Sequence, residues 1–130
     1  MTSNPRRKGV ILLRTIQGQA LHDSVVVARA EQLLKQGHRV AADVNGYPKP
    51  PNVLGHIPDI VANGKANLIS EVETSDSYSS QHTRDQLQAF DSVPNYLLEV
   101  VVPVSAYQAA RDLILRVWRI SVDSWQTYPG

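Results

Sequence analysis

The sequence predicts an α/β domain, and three observations carry that prediction. Val26, Ala30 and Leu33, with Val27 and Leu34 beside them, repeat at helical spacing and stop at Gly37. Residues 96–102 (YLLEVVV) are almost continuously apolar and rich in branched side chains, as in a strand covered on both faces. Between these two lie shorter apolar runs broken by Gly, Pro and Asn, which suit further strands and their turns.

Composition bounds the answer. At 130 residues the chain is long enough for one domain with a two-layer or three-layer core. Its 42% hydrophobic and 19% charged content is that of an ordinary globular chain and excludes a disordered one. The absence of cysteine excludes disulfides and thiolate metal sites. The apolar runs are too short for a membrane span, and the opening MTSNPRRKG has no apolar segment of the secretory kind, so the expectation is a cytoplasmic protein. With a net charge of +1, nucleic-acid binding would have to rest on local clusters of Lys and Arg.

In chain order, Arg6, Arg7 and Lys8 form a basic tract that reads as a solvated terminus, with a phosphate-contacting arm as the alternative. Residues 9–17 suit an edge strand or the start of a helix. The first helix is expected over 21–36, with Gly37 closing it and Glu31 bordering the buried stripe. Residues 38–44 alternate Val40, Ala42 and Val44 against Arg39, Ala41 and Asp43, a strand with one polar face. The stretch NGYPKPPNVLGH follows, and three prolines make it a long loop. Tyr47 and Lys49 in this loop are candidates to meet substrate or a second subunit, and His56 is a candidate to orient water or to bond within the turn.

The later elements follow the same logic. A helix is expected over 80–91 with Ser79 or Ser80 as its N-cap and Leu87 and Phe90 as its anchors. Glu99 interrupts the apolar strand over 96–102, and pairing with an arginine is its expected role. Ser105 to Gln108 has the pattern of a capping box, opening a helix that buries Ala106, Ala110, Leu113, Ile114 and Val117. Arg111, Arg116 and Arg119 make either a solvated face or a phosphate surface, before a final strand over 120–125.

The chemistry concentrates in residues 55–74, GHIPDIVANGKANLISEVET. Side chains alternate along a strand, so Leu68, Ser70 and Val72 share one face while Ile69, Glu71 and Glu73 share the other. Like charges this close raise at least one pKa and favour a shared proton or cation. If the strand after Asp59 pairs with the strand carrying Glu71, a third carboxylate joins them, and oxygen donors suit Mg²⁺ or Mn²⁺.

Pro58-Asp59 followed by Glu71-Val72-Glu73 resembles the PD-(D/E)xK nuclease superfamily, with Glu73 standing where that family usually has lysine. The resemblance covers roughly residues 21–102 and implies a restriction-endonuclease-like three-layer αβα sandwich with an αβββαβ core and a mixed central sheet. It implies a Mg²⁺- or Mn²⁺-dependent endonuclease acting on DNA, with Asp59, Glu71 and Glu73 as catalytic residues. It also implies metal ligation by Asp59, Glu71, the carbonyl of Val72 and, from the first helix, Glu31. The family's lysine adds positive charge near the scissile phosphate, and with Glu73 in its place a neighbouring cation such as Lys65 would have to offset the repulsion. Gln86, four residues before Phe90, is similar to a Gln-x-x-x-Tyr element of some branches and joins Tyr47, Lys49 and His56 as a substrate-contact candidate. The alternatives are a catalytically inactive member of the fold that binds nucleic acid or protein, and a purely structural acidic cluster in an assembly subunit.

Overall fold

The computed structural model describes residues 15–130. The basic tract Arg6, Arg7 and Lys8 lies outside the described residues, as does the first part of the run over 9–17. Helix α1 spans Ile16–Lys35, earlier by a turn than the stripe suggests, because the Thr15 side chain caps it by accepting the Gly18 N–H at 2.9 Å. Strands β1 (Arg39–Ala42), β2 (Ile60–Asn63) and β3 (Asn67–Val72) follow, then helix α2 (Gln81–Asp91) and strand β4 (Leu97–Pro103). Helix α3 (Tyr107–Arg111) runs on through wider π-type turns to Val117, and strand β5 (Ser124–Tyr128) ends the order.

The five strands lie in the order β1-β2-β3-β4-β5. The β1–β2 and β2–β3 pairs are antiparallel, while β3–β4 and β4–β5 are parallel, so the sheet is mixed and open. Parallel neighbours need a crossover, and α2 and α3 supply the two. One core packs Val26, Ala30 and Leu33 of α1 on Ile60, Leu68, Val72 and Val101. The other packs Leu87 and Phe90 of α2 and Ala110 and Ile114 of α3 on Val61, Ile69, Leu98 and Val100. Successive strand residues thus feed opposite cores, which is why β4 reads as a continuous apolar run.

Glu99, the exception in β4, is 1% exposed on the α1 side. Arg29 of α1 reaches it through two bonds, Nε to Oε1 at 2.9 Å and Nη2 to Oε2 at 2.8 Å, and Ser70 Oγ donates to Oε1 at 2.7 Å. The arginine pairing anticipated for it is therefore present, in the two-pronged form that satisfies a buried carboxylate.

Three local expectations are corrected. Ser105 caps nothing: the chain enters α3 through a 3-10 turn, Val104–Ala106, and the N-cap position of α3 is Ala106, with no side-chain bond. Val117, expected on the buried face, is 67% exposed, because the wider turns after Arg111 shift the helical phase. The final strand begins at Ser124 rather than near Ile120 because Asp123 is held at its start, its backbone N–H on the Leu98 carbonyl and its Oδ2 on the Leu98 N–H.

The long loop between β1 and β2 contains a tight turn. Val53 and His56 exchange backbone bonds of 2.7 and 3.0 Å around Leu54 and Gly55, whose φ values are 52° and 90°. Two consecutive positive φ values define the primed hairpin geometry, which suits glycine and strains leucine. The turn sets His56 against α2, its ring centroid 6.2 Å from Phe90 and 6.0 Å from His82.

Candidate functional site

Pairing of β2 with β3 sets Ile60 opposite Ser70, so the next step outward brings Asp59 to Glu71. Two backbone bonds fix the junction: the Asp59 N–H donates to Glu71 Oε2 at 2.6 Å, and the Val72 N–H donates to Asp59 Oδ2 at 2.9 Å. The junction sits at the carboxyl end of β3, beside the carboxyl end of its one parallel neighbour, β4, where open α/β sheets place their ligands.

Glu71 is 2% exposed, and burial pushes its pKa well above the ordinary carboxylate range. The charges of Asp59 and then Glu73 push it further, the Asp59 N–H pulls the other way, and a side-chain bond to the Asp59 carboxyl adds to the rise. The two carboxyl groups are thus near enough to share a proton. A divalent cation would relieve the same repulsion.

Glu73 is also buried, at 1% exposure, but its surroundings are hydroxyls. Ser77 Oγ donates to its Oε1 at 2.7 Å, the Thr83 hydroxyl of α2 lies 3.0 Å from the same oxygen, and Tyr128 donates to its main-chain carbonyl at 2.8 Å. These bonds pin the β3–α2 loop to the start of α2 and to β5. Ser80 caps that helix by accepting the Thr83 N–H, so the cap and the Glu73 contacts form one assembly.

The remaining sequence candidates lie elsewhere. Glu31 is exposed on α1 and accepts a hydrogen bond from the Tyr47 hydroxyl, tying the long loop to the helix. It lies about 13 Å along α1 from His22, the residue that meets Asp59, and half a turn around, so it does not join the ligands proposed for Asp59 and Glu71. Lys65 sits in the β2–β3 turn, at the other end of the strand from Asp59 and roughly 13 Å or more away, too far to offset the charge of Glu73. Lys49 is exposed, while His56 and Gln86 are partly buried. Val72 contributes its N–H to Asp59.

Two residues that the sequence did not single out complete the junction. His22 of α1 is 4% exposed; its Nε2 lies 3.1 Å from Asp59 Oδ2 and its Nδ1 lies 2.9 Å from Asp23 Oδ1. The contact with Asp59 is close by distance without the alignment of a hydrogen bond. The signal was present: His22 lies four residues before Val26, so it extends the buried stripe by one turn.

Among the described residues, no group of three or more His, Cys, Asp or Glu side chains is arranged to hold a metal ion. Nor is any helix among them long and apolar enough to cross a membrane. No protein-family model, curated protein or solved structure matches the chain.

Proposed function

We propose that the chain is a metal-dependent nuclease of the restriction-endonuclease-like type that hydrolyses DNA phosphodiester bonds, with Asp59 and Glu71 as the side chains that hold Mg²⁺ or Mn²⁺. One observation carries this reading: the Asp59 and Glu71 carboxyl groups are fixed at one junction by the Asp59 and Val72 N–H groups, and Glu71 is deeply buried with its pKa pushed up by burial and then by Asp59. Magnesium is commonly held by only one or two carboxylates and keeps its other positions for water and substrate phosphate, so a pair is a sufficient donor set without a cage. The main-chain carbonyl of Val72 would be the third protein ligand in the family pattern. When bound, the cation would supply an acidified water and charge stabilisation at the phosphate.

The chain's own residues then divide the work. Asp59 and Glu71 bind and orient, and Glu73 anchors the β3–α2 loop through Ser77 and Thr83. Lys49, exposed on the long loop, with Tyr47, His56 and Gln86, which lie apart from the carboxylate pair, would meet the more distant parts of a DNA substrate, and a second copy of the chain is a further partner. The expected setting is the cytoplasm.

A second reading has its own support. Glu73 replaces the family lysine and accepts hydroxyl bonds from Ser77 and Thr83, so it has a structural role that needs no reaction. On that reading the chain binds nucleic acid or protein without cleaving. Cleavage of duplex, single-stranded and branched DNA in Mn²⁺ separates the two. The nuclease reading expects cleavage by the wild type, none by Asp59→Asn, and a reduced rate with retained DNA binding for Glu73→Gln. A blank on all three substrates, with DNA still retained in EDTA, would replace it by the binding module; a blank with no retention would remove both.

A further inference from the structure

We propose that strand β5 is a docking edge for a second copy of the chain, the two β5 strands pairing antiparallel about Gln126 so that one sheet runs through both copies. The proposal gives a surface to the second copy named above and stands independently of the cation reading of Asp59 and Glu71. It starts from the direction of hydrogen bonds. The Glu73 N–H donates to the Val101 carbonyl at 2.8 Å, so the main chain of Val101 faces β3 and that of Val100 and Val102 faces β5. Register sets Val100 opposite Trp125 and Val102 opposite Thr127. In a parallel ladder a residue bonds to the two neighbours of the residue opposite it, so Val100 and Val102 engage Ser124, Gln126 and Tyr128. The N–H and C=O groups of Trp125 and Thr127 therefore point outward from the sheet edge, and no main-chain group among the described residues meets them there.

These outward groups are self-complementary. Under a two-fold axis at Gln126, Trp125 of one copy lies opposite Thr127 of the other, and each such pair exchanges two bonds. The side chains agree with the axis. Gln126 is exposed and shares a polar groove with Gln32 and Gln36 of α1; amides both donate and accept, so they can meet their own copies. The cations of that groove are Arg29, which Glu99 holds, and Lys35. Strand β5 reads SWQTY and carries neither a charge nor a proline, the devices that usually keep an edge from pairing. The opposite edge is blocked: Arg39 opens β1, and the long loop returns so that the Pro48 carbonyl accepts the Ala42 N–H at 2.9 Å. That contrast selects β5 as the open edge, and a row of groups that repeats under a two-fold axis is matched by its own copy.

Sedimentation equilibrium of the full chain over a concentration series tests the proposal. The wild type should approach twice the 14.4 kDa chain mass as concentration rises. Thr127→Pro removes an outward N–H that β4 does not use, deletes one bond from each pair, and should weaken the dimer roughly tenfold or more. The chain has no cysteine, so single-cysteine variants read the register. Gln126→Cys should form an interchain disulfide on oxidation, because residues in a non-hydrogen-bonded antiparallel pair have Cα atoms about 4.5 Å apart. Thr127→Cys, opposite Trp125 of the other copy, should not. Should Thr127→Pro fail to fold, the cysteine variants carry the test. A wild type that stays monomeric into the millimolar-scale range overturns the proposal. So does a dimer that folded Thr127→Pro leaves at wild-type strength, or one in which Gln126→Cys crosslinks no better than Thr127→Cys.

Discussion

Replacing Glu71 with glutamine should stabilise the protein, and by an amount that depends on pH in a defined way. Glu71 is 2% exposed, and burial, then Asp59, then Glu73 raise its pKa from an ordinary 4.5. Below that ordinary value the carboxyl is protonated in both folded and unfolded chains, so its stabilising share is fully present. As pH rises, the unfolded chain releases the proton while the folded chain keeps it, and stability falls by about 1.4 kcal/mol per pH unit until the folded group ionises. Glutamine has nearly the same shape, and its amide oxygen can still accept the Asp59 N–H that Glu71 accepts at 2.6 Å. The stability difference between Glu71→Gln and wild type should therefore grow at that slope from the ordinary carboxylate range upward, then level off. Urea unfolding followed by the fluorescence of Trp118 and Trp125 at a series of pH values measures it. A difference that does not change with pH, or that shrinks as pH rises, would refute the buried, protonated Glu71. Millimolar-scale Mn²⁺ adds a second arm: it should narrow the difference at neutral pH, because the wild type gains the binding energy of a native-state ligand.

Two further predictions concern the scaffold. Arg29→Met strands the buried Glu99 charge and should cost about 3–5 kcal/mol in urea unfolding, whereas Arg29→Met with Glu99→Leu should recover much of that loss; equal costs for the single and double variants would show that the pair is not isolated from water. Leu54→Asn places a residue tolerant of positive φ at a position where φ is 52° and the side chain is 70% exposed. It should raise stability by roughly 1 kcal/mol, and a lowered melting temperature would count against the strained turn.

The parts of the molecule that were legible in the sequence are those where one physical signal dominates. The stripe of α1, the apolar run of β4 and the Ser80 cap of α2 each depend on local periodicity or a local bond. Glu99 could be read as an arginine partner because a lone carboxylate in such a strand has few other ways to be satisfied. Asp59 and Glu71 could be brought together because antiparallel pairing of consecutive short strands is the expected arrangement, and the register does place them side by side. What stayed hidden depends on contacts distant in sequence. Glu31 faces Tyr47 instead of the carboxylates, which only the docking angle of α1 decides, and the same angle brings His22 to Asp59. Strand alternation puts Glu73 on the face of Glu71, but the hydroxyls of Ser77 and Thr83 that hold it arrive from a loop and a helix whose path alternation does not predict.

On the proposed reading, Asp59 and Glu71 meet at the β2–β3 junction to hold a divalent cation. A crystal grown or soaked in Mn²⁺ and recorded for anomalous scattering tests this directly. An anomalous peak is expected between the Asp59 and Glu71 carboxylates and should be lost in Asp59→Asn. An empty site, with the two carboxyls still in contact and sharing a proton, would contradict it.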